Sequence, residues 1–184
     1  MDKLVDSILN PRPLSNAAVR HGQKYESVAV NLYEKSMGVK IRSCGLFVCK
    51  EHPFLAASPD GLGEGFIVEV KCPYTNRAHG ITSLTTPFLK ETQNSANSDG
   101  KSLSLKKGHP YYYQVQGQLL CTNMKVCRFI VFTLAKENNL VVIDVPRDDD
   151  DIRFMLEKLT SFYEDHFKSK LLRKLLYRDY DQYW

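Results

Sequence analysis

Apolar residues of the first third of the chain fall at Tyr25, Val28, Ala29, Leu32 and Tyr33. Intervals of three and four put them on one face of a helix. The pattern predicts a helix that starts near Ser15 or Asn16 and stops at Gly38, because glycine ends helices readily. A shorter helix precedes it from Asp2 to Leu9, closed by Asn10-Pro11-Arg12-Pro13. Beyond Gly38 the period falls to two. "CGLFVCK" (44–50), "FLAAS" (54–58) and "FIVEVKC" (66–72) read as strands joined by tight turns. Residues 78–108 are polar around "NSANSDGKS" and read as a long surface loop flanking a short helix. "HPYYYQVQGQLLCT" predicts a helix with Pro110 near its first turn. "KVCRFIVFTLAK" and "NLVVIDV" predict a strand pair, and a long amphipathic helix runs from Asp149 to about Tyr180. The expected class is α+β, a central mixed sheet flanked by helices.

Composition narrows this only a little. A chain of 184 residues suits one domain with a sizeable core, so 1–184 is read as a single domain. At 43% hydrophobic and 25% charged it should be globular rather than disordered. No apolar run approaches the ~18 residues that a membrane span needs, and "MDKLVDSILNPRP" lacks the order of a secretory signal. The net charge of +4 permits an anionic partner without demanding one. The five cysteines are odd in number and form no CxxC pair, which points to buried thiols in a reducing, intracellular compartment.

Candidate chemistry gathers in "SPDGLGEGFIVEVKCPY" (58–74), where Glu69 breaks an apolar run and Lys71 follows it. On a strand Ile67, Glu69 and Lys71 share one face, and Phe66, Val68, Val70 and Cys72 share the other. The second face is core. Asp60 stands at the mouth of "DGLGEG", read as a turn that brings it beside Glu69. Two carboxylates with an exposed strand carbonyl make an oxygen-rich set for a hard cation such as Mg²⁺. Lys71 can polarise a water or offset charge on a phosphate. A solvated Glu–Lys pair beside a common Asp-Gly turn fits the same residues. Glu26 borders the apolar stripe of its helix, near Gly22, Ala29 and Tyr33; a carboxylate there either finds a partner or reaches out to water. Gln114 and Gln118 share a helical face while Gln116 points elsewhere, and polar helix surface would account for all three.

In combination, the order Glu, Asp, Glu-x-Lys, Gln is far more specific than any part. The chain resembles the YqaJ-type viral recombinase family, lambda-exonuclease-like members of the PD-(D/E)xK nucleases. The matching stretches are "GQKYESVAVNLYE", "SPDGL", "VEVKCPYTNR" and "YYYQVQGQL", in family order from residue 22 to 118. "LKKGHPYYYQVQGQL" looks more like the eukaryotic branch than the phage one. The resemblance implies a restriction-endonuclease-like α/β fold and a magnesium-dependent deoxyribonuclease, with Mn²⁺ able to substitute. By resemblance, Glu26 falls on the family's helical acid, Asp60 on its metal-bridging aspartate, and Glu69 and Lys71 on the signature pair. Asp60, Glu69 and the Val70 carbonyl would hold one metal, and Asp60 with Glu26 would serve a second. Gln114 falls on the active-site glutamine, and Ser58 and Arg77 match residues that hold the DNA 5′-phosphate. Members usually carry an upstream segment whose Arg and Ser complete this phosphate pocket. This chain starts too late to show it clearly, so it is either truncated or reduced in end recognition.

The expected activity is an exonuclease degrading duplex DNA ends, 5′ to 3′, in recombination or replication. The alternatives are a structure-selective endonuclease and a catalytically idle DNA-binding module of the same fold. Family resemblance adds a homo-oligomer, a trimer, and a single-strand-annealing protein as expected partners; no membrane is expected. Lys101, Lys106 and Lys107, with His109, close the polar loop and are candidates for DNA contact. Tyr111, Tyr112 and Tyr113 could stack on bases, though helical spacing sends at least one to the core. The acids Asp148 to Asp151 fit a helix N-terminus better than a metal site. The basic stretch His166 to Arg178 fits an amphipathic helix as well as a phosphate track.

Overall fold

In the computed structural model the described residues are 2–93 and 101–180, without the side chains of Lys101 and residues 177–180. The chain groups into two compact units, one of Ser15–Asp148 and one of Met1–Leu14 with Asp149–Trp184. The elements that carry the candidate site all fall in the first.

That unit starts with helix α2 (Ala17–Met37), after α1 (Asp2–Leu9) of the other unit. Asn16 caps α2, its side chain accepting from the Val19 amide at 2.9 Å, and Gly38 closes it at φ 65°. Strands β1 (Phe47–Val48) and β2 (Ala56–Ala57) form a small antiparallel pair, far shorter than the sequence pattern predicts. The main sheet has strands β3 (Gly61–Gly63), β4 (Phe66–Lys71), β7 (Val126–Phe132) and β8 (Leu140–Pro146) in the order β3-β4-β7-β8. Only β4 and β7 run parallel, in the register Ile67↔Cys127 to Lys71↔Val131, so the sheet is mixed as expected.

Helices cover both faces of the sheet. Ala29 and Tyr33 of α2 pack on Phe66, Val68, Val70, Ile130 and Phe132. On the other face, helix α3 (Pro110–Thr122) sets Val115 and Leu119 against Ile67, Phe129 and Val131. Five of the six β4 residues are therefore buried, which is why its apolar run is nearly continuous.

Two sequence expectations need correction here. "DGLGEG" is not all turn: Gly61–Gly63 pair with β4, and only Glu64 and Gly65 (φ 81°) reverse the chain. The glycines serve close approach, since a Cβ on Gly61 would lie 2.4 Å from Ile41 Cγ2 and one on Gly63 2.1 Å from the Phe66 ring. Residues 78–108 hold no helix among the described residues. Instead β5 (Leu89–Gln93) and β6 (Lys101–Leu105) form an antiparallel hairpin that buries Leu89 and Leu105. The centre of the predicted loop, 94–100, lies outside the described residues.

In the second unit, the predicted long helix is α4 (Asp149–Phe162) and α5 (Lys168–Tyr180), joined by a π-helical turn at Tyr163–Phe167. Lys170 pairs with Asp2 at 2.9 Å and Asp6 at 3.5 Å, and Lys174 Nζ donates to Asn10 Oδ1 at 2.8 Å. Part of the basic stretch is thus engaged by α1. No helix of the described residues is long and apolar enough to cross a membrane.

Candidate active site

Strand β3 stops pairing at Gly61↔Val68, so β4 runs on with a free edge. The backbone groups of Val68 and Val70 point to that edge, since alternate residues of a strand bond to the same side. Val68 O accepts from the Asp60 amide at 3.0 Å, and the Val70 amide donates to Asp60 Oδ2 at 2.7 Å. Asp60 therefore acts as a side-chain continuation of the missing strand. Its carboxylate sits beside the Val70 carbonyl, which points the same way as the amide.

Glu69 faces α3 and is 2% exposed. A buried carboxylate needs compensation on each oxygen, and α3 supplies it. Gln114 Nε2 donates to Glu69 Oε1 at 2.8 Å, while Gln118 Nε2 donates to Oε2 at 2.6 Å. Lys71 Nζ also pairs with Glu69 Oε1, and donates to Gln114 Oε1 at 3.2 Å. The ammonium stands 4.5 Å from the centre of the Tyr111 ring. Glu69, Lys71 and Gln114 thus form one hydrogen-bonded unit. Gln118, 1% exposed, belongs to it and was not among the expected site residues. Its signal was its position one turn beyond Gln114. Gln116 instead ties α3 to the end of β8, through the Pro146 carbonyl and the Asp148 amide.

Glu26 approaches from α2. Among the described residues it makes no hydrogen bond, but burial and then the Glu69 charge raise its pKa. Burial, followed by Glu69, pushes the Asp60 carboxyl up to about 7, against the opposing Val70 hydrogen bond. Cys72 is pushed up to about 12 by burial and by Glu26 and Asp60. Glu26 and Asp60 thus both feel the Glu69 charge in partly buried surroundings, with the Lys71 ammonium opposing it, and such surroundings favour a further cation. Among the described residues no three histidine, cysteine or acidic side chains converge as a ready-made metal cage. Carboxylates and a strand-edge carbonyl are donor types that suit an ion that keeps part of its water shell, as Mg²⁺ does.

Other expected residues are placed less tightly. The Ser58 hydroxyl donates to Gly45 O at 3.3 Å, while its carbonyl accepts from Gln118 at 3.3 Å. Arg77 stacks on Tyr74, 4.4 Å from the ring centre, and donates to the Tyr74 carbonyl at 2.9 Å. Neither side chain bonds to the other. Lys107 pairs with Asp148 at 2.6 Å, and Lys106 donates to the Pro87 carbonyl. The side chain of Lys101 lies outside the described residues. Of the three tyrosines, Tyr112 is core, Tyr111 lies beside Lys71, and Tyr113 is exposed.

Residues 2–125 match the YqaJ-like viral recombinase domain. The chain belongs to this family. It is 32% identical over 124 residues to uncharacterized protein R354 of Acanthamoeba polyphaga mimivirus, covering 64% of this chain and 20% of that protein. It is 30% identical over 128 residues to an alkaline nuclease of Orgyia pseudotsugata multicapsid polyhedrosis virus, covering 61% of this chain and 29% of that one. The chain thus spans less than a third of either relative. The YqaJ-like architecture recurs in the crystal structure of an alkaline exonuclease from Laribacter hongkongensis, with a TM-score of 0.67 and 23% identity. That likeness covers 98% of this chain and 82% of the other, and concerns the fold.

Proposed function

We propose that this YqaJ-like chain is a metal-dependent deoxyribonuclease that degrades duplex DNA from its ends, 5′ to 3′, in recombination or replication. The observation that carries it is Glu69, buried under α3 and bonded to Lys71 and Gln114, with the Asp60 carboxylate bound to the next amide of the same strand, that of Val70. The alkaline nuclease and exonuclease among its relatives support the same chemistry.

Asp60, Glu69 and the Val70 carbonyl would hold Mg²⁺ or Mn²⁺, and Asp60 with Glu26 would serve a second ion. When bound, the ion supplies Lewis acidity to the phosphodiester and lowers the pKa of a water. Lys71, released from Glu69, offsets charge developing on the phosphate and, with Gln114, orients the attacking water in line. Gln118 keeps Glu69 aimed at the edge. Arg77 and the Ser58 hydroxyl would bind a terminal 5′-phosphate, for which a guanidinium fork is well shaped. A ring of three copies and a single-strand-annealing partner fit such an activity.

End-labelled linear duplex and closed circular duplex, each with Mg²⁺ or EDTA, provide the test. Loss of linear DNA alone, only with Mg²⁺, is expected. Cutting of circles would make it an endonuclease, and binding without cutting would make it an idle module.

A further inference from the structure

Strand β8 (Leu140–Pro146) ends the main sheet, and among the described residues β7 is its sole partner strand. The bonds that bracket β8 fix which of its backbone groups face β7. The Thr133 amide donates to Asn139 O at 2.8 Å, and the Arg147 amide donates to Lys125 O at 2.9 Å. Alternate residues of a strand bond to the same side, so the odd-numbered residues face β7. Leu140, Val142 and Asp144 turn their amides and carbonyls to the outer edge, where they meet no partner among the described residues. Pro146, next in that row, has no amide, and its carbonyl accepts from Gln116. A bare edge of this kind is a template for another strand.

A groove of about 320 Å³ lies between β8 and the β5–β6 hairpin, lined by residues 143–148 on one side and by Lys90, Thr92 and Ser104 on the other. Lys90 stands opposite Ser104 in the hairpin, so their side chains share a face. The Ser104 hydroxyl is buried with no partner. Both acids of the groove are matched, Asp144 by Arg128 and Asp148 by Lys107. Lys90 makes no ion pair among the described residues, so the unmatched charge it adds is positive. The two sides of the edge differ as well. Leu140 and Val142 belong to the α2 face of the sheet, while Ile143 and Val145 share the α3 face with Leu105 and Tyr112 of the groove.

We propose that the outer edge of β8 is a docking site for an extended acidic segment of a partner protein. The segment adds a strand beside Leu140, Val142 and Asp144, and main-chain hydrogen bonds hold it. Its side chains alternate, apolar where they lie with Leu140 and Val142, acidic where they enter the groove towards Lys90 and the Ser104 hydroxyl. The surface is independent of the nuclease reading, since β7 separates β8 from the strand of Glu69 and Lys71.

The test uses fluorescein-labelled peptides of about seven residues, long enough to pass the outward groups. One alternates valine with glutamate and the other valine with lysine. Fluorescence anisotropy should show the glutamate peptide binding more tightly. Lys90→Glu, a change on the exposed side of the hairpin, should move the ratio of the two affinities about tenfold towards the lysine peptide. Hydrogen exchange followed by NMR should slow at the Leu140, Val142 and Asp144 amides when the glutamate peptide is added, and not at Ile143, which is already bonded to β7. No slowing at those three amides, or an affinity ratio unmoved by Lys90→Glu, overturns the site. Protection of the same amides without peptide, rising with protein concentration, would show that a second copy covers the edge. Protection by a short DNA strand and not by the peptide would assign the groove to nucleic acid. Either result overturns the acidic segment as its occupant.

Discussion

Gln118 Nε2 lies 2.6 Å from Glu69 Oε2, with both side chains almost fully buried. The glutamine is therefore the counterpart that lets a carboxylate sit beneath α3. Its other amide atom, Oε1, is buried with no partner, so Gln118 is held for what its NH₂ does rather than for full satisfaction.

Replacing Gln118 by leucine should strip a charge-assisted hydrogen bond from a buried oxygen. A loss of about 1.5–3 kcal/mol of stability is expected from urea unfolding. Cleavage should fall at least tenfold, with the metal concentration for half-maximal activity raised. A variant with normal stability and normal metal dependence would remove Gln118 from the site.

The raised carboxyl of Asp60 sets a pH dependence of stability. Its folded pKa, about 7, lies above the ordinary 3.8, so between these values the folded protein binds more protons than the unfolded one. Without divalent metal, stability should therefore fall as pH rises from about 4 to 7, by an amount on the order of 2–4 kcal/mol. Asp60→Asn should flatten the fall, and Mg²⁺ should oppose it by favouring the ionised carboxylate. Urea unfolding in EDTA at pH 5 and pH 8 measures it; an Asn variant with the same slope would show that other groups are responsible.

Lys71→Ala should lower turnover about a hundredfold or more, the range of a lost proton-handling or charge-offsetting group. Metal affinity should persist, because both carboxylates and the Val70 carbonyl remain. Lys71→Gln, which keeps the length, should fare little better. Titration calorimetry with Mg²⁺ separates the roles; lost metal binding would make Lys71 a support for Glu69 rather than an agent at the phosphate.

Arg77→Ala should reduce the preference for 5′-phosphorylated over 5′-hydroxyl ends. One charge-assisted contact is worth about 1.5–3 kcal/mol, or roughly ten- to a hundredfold in rate. Cleavage of the two ends by the unmutated protein at equal rates would dismiss the assignment of Arg77 and Ser58 while leaving Asp60 and Glu69 untouched.

How far the sequence spoke depended on how local each cause was. Helix α2 was legible to its caps, because Asn16, the apolar spacing and Gly38 all act within a few residues. Strand β4 announced itself through a run covered on both faces. The role of Gly61 and Gly63 was not legible, because it depends on Ile41 and Phe66 pressing against them. The β5–β6 hairpin hid behind polar residues such as Lys90 and Glu91, with Leu89 and Leu105 alone marking its buried ends. Asp60, Glu69 and Lys71 stood out as misfits in their surroundings. Gln118 did not, since a glutamine on a helix becomes informative only once α3 is laid over β4.

The parallel register of β4 with β7 also bears on the order of events in synthesis. Ile67 finds Cys127 only after the hairpin and α3 have been made, and contacts between such distant partners reward the chain late. Glu69 and Lys71 leave the ribosome before β7, and nothing holds their strand on its second edge until β7 has followed. The strand that carries Glu69 and Lys71 is thus completed by a partner strand that bears no acid of its own.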